Sequence, residues 1–106
     1  MTDDGLEIVN NETERQWEAR LDGEVVGYAE YRLMQGRVVF THTVVEPAQE
    51  GKGIGSRLVA TALDDALARN LRISPRCPFI RAYIEDHPEY AAATLWPEPD
   101  RWAEQA

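Results

Sequence analysis

The amino-acid sequence predicts a mixed α/β domain: an antiparallel four-strand meander, a crossover helix, a fifth strand parallel to the fourth, and a C-terminal helix. Three observations carry the prediction. Strand-like alternation punctuated by tight turns fills the chain as far as Val45. A glycine loop, Gly51-Lys52-Gly53-Ile54-Gly55-Ser56, follows it. Beyond the loop the apolar positions return at helical spacing. A chain of 106 residues has room for one modest core. One domain is therefore expected over residues 1–106, with its body at roughly residues 6–96.

The elements follow in order. Leu6–Val9 is a short apolar run closed by the turn pair Asn10-Asn11. Arg15, Trp17, Ala19 and Leu21 alternate with Gln16, Glu18 and Arg20, the period of a half-buried strand. Asp22-Gly23 supplies the two left-handed positions of a type I′ hairpin turn. The third strand runs from Val25 to Met34. Val25, Ala29, Tyr31 and Leu33 are expected inward, and Tyr28, Glu30 and Arg32 on the other face. After the turn at Gln35-Gly36, Arg37–Val45 is a fourth strand rich in Val, Thr and Phe.

From Ile54 the pattern changes. Ile54, Leu58, Val59, Ala62, Leu63, Ala66 and Leu67 form one helical stripe, and Asn70 is a helix stop. Asp64 and Asp65 lie off the stripe, on a solvated face. Leu71–Ser74 is a short strand ended by Pro75. A helix crosses over to it, so it should lie parallel to the fourth strand. Phe79, Ile80, Tyr83 and Ile84 again have helical spacing, up to Asp86. Pro88 opens a further turn through Ala93. The tail is irregular, with Trp96 and Trp102 expected to pack.

Composition narrows the function. A net charge of −8 argues against sequence-independent binding of nucleic acid, which needs a basic surface. No apolar run is long enough to cross a membrane and no signal-peptide pattern is present, so neither nucleic acid nor membrane is an expected partner. The single cysteine, Cys77, has no internal partner, and a reducing cytoplasm is the expected compartment. No Cys/His cluster has zinc spacing, and no metal is expected.

The glycine loop has the layout of an anion site, because a helix N-terminus offers unpaired amides and partial positive charge. Lys52 is followed by Gly53, so the Ser/Thr that a Walker A loop uses for magnesium is missing. The spacing Gly51-x-Gly53-x-Gly55 also departs from the Gly-x-Gly-x-x-Gly of dinucleotide folds, and antiparallel strands precede it. A tight strand-to-helix connection without ligand is the alternative.

Val45-Glu46-Pro47 followed by Gly51-Lys52-Gly53-Ile54-Gly55-Ser56-Arg57-Leu58 resembles the pyrophosphate-loop signature of the GNAT superfamily of acyl-CoA-dependent N-acetyltransferases. Phe40-Thr41-His42-Thr43, Pro75-x-Cys77-Pro78-Phe79-Ile80, Tyr83 and His87-Pro88-Glu89-Tyr90 are similar to a family of very short GNAT-like proteins. The resemblance implies acetyl-CoA as co-substrate, an amine as acceptor, and no metal. It puts Gly51, Lys52, Gly53, Ile54, Gly55 and Ser56 at the pyrophosphate. It puts the backbone of Val44 and Val45 along the pantetheine arm, between fourth and fifth strands that splay apart. Glu50 departs from the Arg or Gln common at this place in the superfamily, which lowers the expected affinity.

Transfer to an amine needs a base, an oxyanion donor and a proton for the leaving thiolate. Cys77, at the end of the fifth strand, is placed by the resemblance at the active site, as acyl acceptor or acid. A small buried hydrophobe is the alternative for a lone cysteine. His42 is the candidate base, or else a hydrogen-bonded sheet histidine. Glu30 is a second candidate base. Tyr83 and His87 are weaker candidates for substrate contact, with packing and capping as alternatives, and Tyr90 is equally open. A non-catalytic sensor of CoA or acyl-CoA is the rival function.

Overall fold

The computed structural model describes residues 5–98. Strands β1 (Leu6–Asn11), β2 (Gln16–Leu21), β3 (Glu24–Met34) and β4 (Arg37–Val45) lie side by side in sequence order. Each is antiparallel to the last. Asp22 and Gly23 adopt φ of 52° and 89°, the two left-handed positions that close a hairpin in register with strand twist. A 3-10 turn at Pro47–Gln49 leads through the glycine loop into α1 (Ile54–Ala68). β5 (Arg72–Pro75) then joins β4 in parallel. α2 (Pro78–Asp86) and a 3-10 turn at Pro88–Ala93 complete the order. The mixed sheet of the sequence prediction is the one observed.

Both helices contribute to one apolar layer on a single face of the sheet. Val38 and Phe40 of β4, Val59 and Leu63 of α1, Ile73 of β5, and Ile80 and Ile84 of α2 share a cluster. Ala19, Val26 and Ala29 meet Ile54 and Leu58 in a second. Burying a leucine or isoleucine of this kind contributes about 1.5–3 kcal/mol. Leu67, expected on the buried stripe of α1, sits at its exposed margin. Asn70 follows the helix with φ 59°, the left-handed stop expected of it.

Two bulges decide which side chains face the helices. Between β2 and β3, Ala19 pairs with Gly27 and Arg20 with Val25, so Val26 is the extra residue. The shift turns Val26 inward and leaves Val25, expected inside, 41% exposed. Leu33, also expected inside, is 59% exposed near the end of the β3–β4 hairpin. Between β3 and β4, Tyr31 pairs with Phe40 but Glu30 pairs with His42, so Thr41 is extra. Phe40, Thr43 and Val45 therefore share the helix face, while His42 and Val44 face the other side.

Asn10 and Asn11, expected to end the first strand, belong to it. Asn10 accepts the Tyr31 hydroxyl at 2.7 Å, and Asn11 donates to Glu18 at 3.0 Å. These tertiary bonds outweigh the turn preference of asparagine. After Ala93 the chain follows the outer edge of β5 in parallel, with Thr94 bridging Ile73, before Glu98 reaches the face away from the helices. Leu95 N–H donates to the Ile73 carbonyl, and Glu98 pairs with Arg37 at 2.8 Å and Arg76 at 3.1 Å. Trp96 carries the Arg81 guanidinium 4.4 Å above its ring, whereas Trp102 lies outside the described residues.

Candidate functional site

β5 is short. Its pairing with β4 covers Arg37–Phe40 and ends at Pro75, with one further bond from Cys77 N–H to the Phe40 carbonyl. Past Phe40 the outer edge of β4 opens, and the two strands part as expected. Glu46 N–H turns toward β3 and bonds the Val26 carbonyl at 2.8 Å. By strand alternation the N–H and C=O of Val45 then point the other way, into the gap. The Val44 carbonyl lies against β3, 3.0 Å from where a Cβ on Gly27 would stand. Val45, rather than Val44, is thus the residue of the expected pair with free backbone groups at this edge.

The gap opens into a cavity of about 350 Å³. Thr43 and Val45 form one wall, Phe79 another, and Glu50, Gly51, Gly53 and Ser56 the mouth. Gly51 and Gly53 take φ of 86° and 77°, which L side chains rarely adopt, and no atom lies within 4 Å of a Cβ at either position. Gly53 is the N-cap of α1, with no side chain capping the helix and no acidic residue in its first turn. Arg57 N–H is bonded to Gly53, so the amides of Ile54, Gly55 and Ser56 have no intrahelical acceptor. Gly55 differs: a Cβ there would stand 3.0 Å from Phe79 Cζ. This glycine lets the two helix starts approach. An open cradle of amides beside apolar walls fits a phosphate-bearing group with an apolar arm.

Lys52, expected at the pyrophosphate, does not line this cavity: it lines a neighbouring recess with Leu6, Leu21 and Arg57, and its Nζ donates to Gln49 Oε1, a residue common to both, at 3.1 Å. Glu50 lines the mouth with its backbone N–H bonded to Pro47.

Cys77 is 4% exposed, the N-cap residue of α2, and its Sγ donates to Thr43 Oγ1 at 3.4 Å. Thr43 stands between the thiol and the cavity. His42 is elsewhere. The Thr41 bulge puts its ring on the opposite face, 72% exposed, with Nδ1 3.1 Å from Glu30 Oε1. The structure therefore does not bring His42 and Cys77 together on one face. Neither lines the cavity: Cys77 lies behind Thr43, and His42 is on the far side of β4.

Tyr83 and His87 do not line the cavity at the loop. Their rings stack at 3.9 Å, and His87 Nδ1 lies 2.8 Å from the Tyr83 carbonyl at the far end of α2. Tyr90 donates to Asp64 Oδ1 at 2.6 Å. Burial raises the pKa of both tyrosines, with the Asp64 charge adding to it. This arrangement gives Asp64 a partner that a purely solvated face would lack. Two wall residues, Thr43 and Phe79, stand in the sequence only inside the resembling motifs, with no site role of their own. Phe79 shows only helical spacing there, and the parity of Thr43 becomes visible only once the bulge is known. Among the described residues no group of three or more His, Cys, Asp or Glu is placed to hold a metal ion.

Residues 16–93 match the family model described as GCN5-related N-acetyl-transferase. Protein NATD1 of Gallus gallus is 28% identical over 85 residues, 78% of this chain and 77% of its own. A GCN5-like protein from Staphylococcus aureus has the same fold, with TM-score 0.68 and 23% identity over 91% of this chain and 94% of its own. A ribosomal-protein-alanine N-acetyltransferase from Brucella melitensis superposes with TM-score 0.54 and 22% identity, covering 80% of this chain and 66% of that one. With β2 to β5, the glycine loop and the crossover helix inside the matched region, the chain belongs to the GCN5-related N-acetyltransferase family.

Proposed function

We propose that the protein binds acetyl-CoA and transfers its acetyl group to an amine. The observation that carries the reading is that the glycine cradle and the β4–β5 gap open into one cavity. The pyrophosphate sits on the amides of Gly51 to Ser56, with Lys52 adding positive charge from the neighbouring recess, where Gln49 holds it. The pantetheine arm takes the place of the missing strand beside Val45, against Phe79. The thioester then reaches the end of the cavity at Thr43.

The chemistry divides between two faces. In the tautomer with its proton on Nδ1, His42 donates to Glu30 and keeps Nε2 free to take the amine proton. The nitrogen bonds to the acetyl carbon, the C–S bond breaks, and the CoA thiolate needs a proton. The Thr43 hydroxyl supplies it and is reprotonated by the Cys77 thiol behind it; His42 releases the amine proton to solvent, and solvent returns one to Cys77 through Thr43 once the products leave. The burial of Cys77 favours this relay over a covalent acyl-enzyme.

Calorimetry with CoA tests the ligand, and absence of binding would overturn the reading. Cys77→Ala and Thr43→Val are each expected to slow transfer by about a hundredfold at unchanged CoA affinity. Intact-mass spectrometry should show no acetylated enzyme. Full transfer by Cys77→Ala would remove the thiol from the mechanism. Glu50 at the cavity mouth favours a second reading, a sensor that binds CoA without turnover. CoA binding with no transfer to any amine would select it.

A further inference from the structure

On the face away from the helices a second recess, of about 250 Å³, lies over the bulge of β4. The Glu30–His42 pair lines it, together with Glu14, Arg15 and Arg32. A neighbouring recess of about 500 Å³ shares Arg15 and Arg32 and continues over Leu33 and Met34, both of them exposed. Thr41 and His42 line the first recess and Thr43 lines the cavity at the glycine loop. The two openings thus flank three consecutive residues of one strand from its opposite faces, just past the point where β5 leaves it.

The lining charges are of both signs. Glu14 and Glu30 attract an ammonium group, and His42 can take its proton. Among the described residues the Arg15 and Arg32 side chains make no ion pair or hydrogen bond, so both guanidinium forks are open to a carboxylate. Two guanidiniums beside the recess oppose a diamine or polyamine, which would bring a second cation to them. From this arrangement we infer that the recess is the acceptor site and takes a small zwitterionic amine of the amino-acid type. Its nitrogen lies at His42 and Glu30, its carboxylate at Arg15 and Arg32, and an apolar side chain over Leu33 and Met34. The inference rests on the acetyl-transfer reading above. One ammonium proton is lost to solvent and the second passes to His42 as the nitrogen bonds to the acetyl carbon.

Initial rates with acetyl-CoA test it on apolar amino acids, their decarboxylated amines and a diamine of similar length. The amino acids are expected to exceed the decarboxylated amines in kcat/KM by about tenfold or more, the scale of one charge-assisted pair. In the Arg15→Gln/Arg32→Gln double variant that ratio should fall to near one, with circular dichroism confirming the fold. The chain has two histidines. In the presence of CoA the His42 ring resonances should respond to the amino acid at lower concentration than to its decarboxylated amine. Equal or faster transfer to decarboxylated amines or to the diamine would overturn the acceptor class and leave acetyl transfer standing. CoA binding without transfer to any amine would overturn both.

Discussion

Gly51 and Gly53 serve the loop through backbone conformation, and Gly55 serves it through space. A Gly53→Ala side chain meets no neighbour but is forced to φ near 77°. It should cost about 1–2 kcal/mol of stability, and a Cβ in the cradle should weaken CoA binding, measured by urea denaturation and calorimetry. Gly55→Ala lies in α1, where alanine gains about 1 kcal/mol of helix propensity over glycine. Contact with the Phe79 ring opposes that gain, so its denaturation midpoint should stay close to the parent's. Tyr90 shows a different single-residue effect. Its hydroxyl is tied to Asp64, and Tyr90→Phe should lose about 1.5 kcal/mol, the worth of a hydrogen bond to a charged group. An unchanged urea midpoint would contradict that.

At the scale of elements, the segment after Ala93 clamps β5 along its edge and, through Glu98, from the face opposite the helices. Arg37 is 1% exposed and is held by Ser74 at 2.9 Å and by Glu98. Glu98→Ala removes the carboxylate and leaves the cation buried, which should cost about 3 kcal/mol. Arg37→Met/Glu98→Leu should recover most of the loss, and a double-mutant cycle by denaturation measures the difference. The elements themselves were legible because alternation, Asp22-Gly23 and the α1 stripe each have one physical reading. Their boundaries agree with the observed ones within two residues. What stayed hidden was parity. Val25-Val26 and Phe40-Thr41-His42-Thr43 are all good strand formers, so composition does not mark which residue a bulge ejects. That one uncertainty concealed Thr43 and moved His42 to the other face. The Arg37–Glu98 pair was hidden for a different reason: its partners lie 61 residues apart and meet only when the sheet is built.

Across the whole molecule, acid should act through a few carboxylates rather than through the net charge alone. Burial pushes the Glu18 carboxyl up, but hydrogen bonds from Gln16, Arg20 and Asn11 outweigh it. At Glu98 burial is likewise outweighed by Arg76, Ser74 and Arg37. Both folded carboxyls therefore titrate below the ordinary 4.5. Their stabilisation is complete above that value and is lost as pH falls through the folded values. Melting temperature should drop on acidification below about pH 4.5, and Glu18→Gln/Glu98→Gln should flatten the drop while lowering the plateau. The early end of β5 has a consequence on another timescale. The Val45 amide faces a gap that only a ligand can fill, whereas the Cys77 amide is already bonded to Phe40. Deuterium should enter Val45 quickly in the free protein and slowly once CoA is added. Cys77 should be slow in both, so that two amides on either side of one gap report occupancy and fold separately.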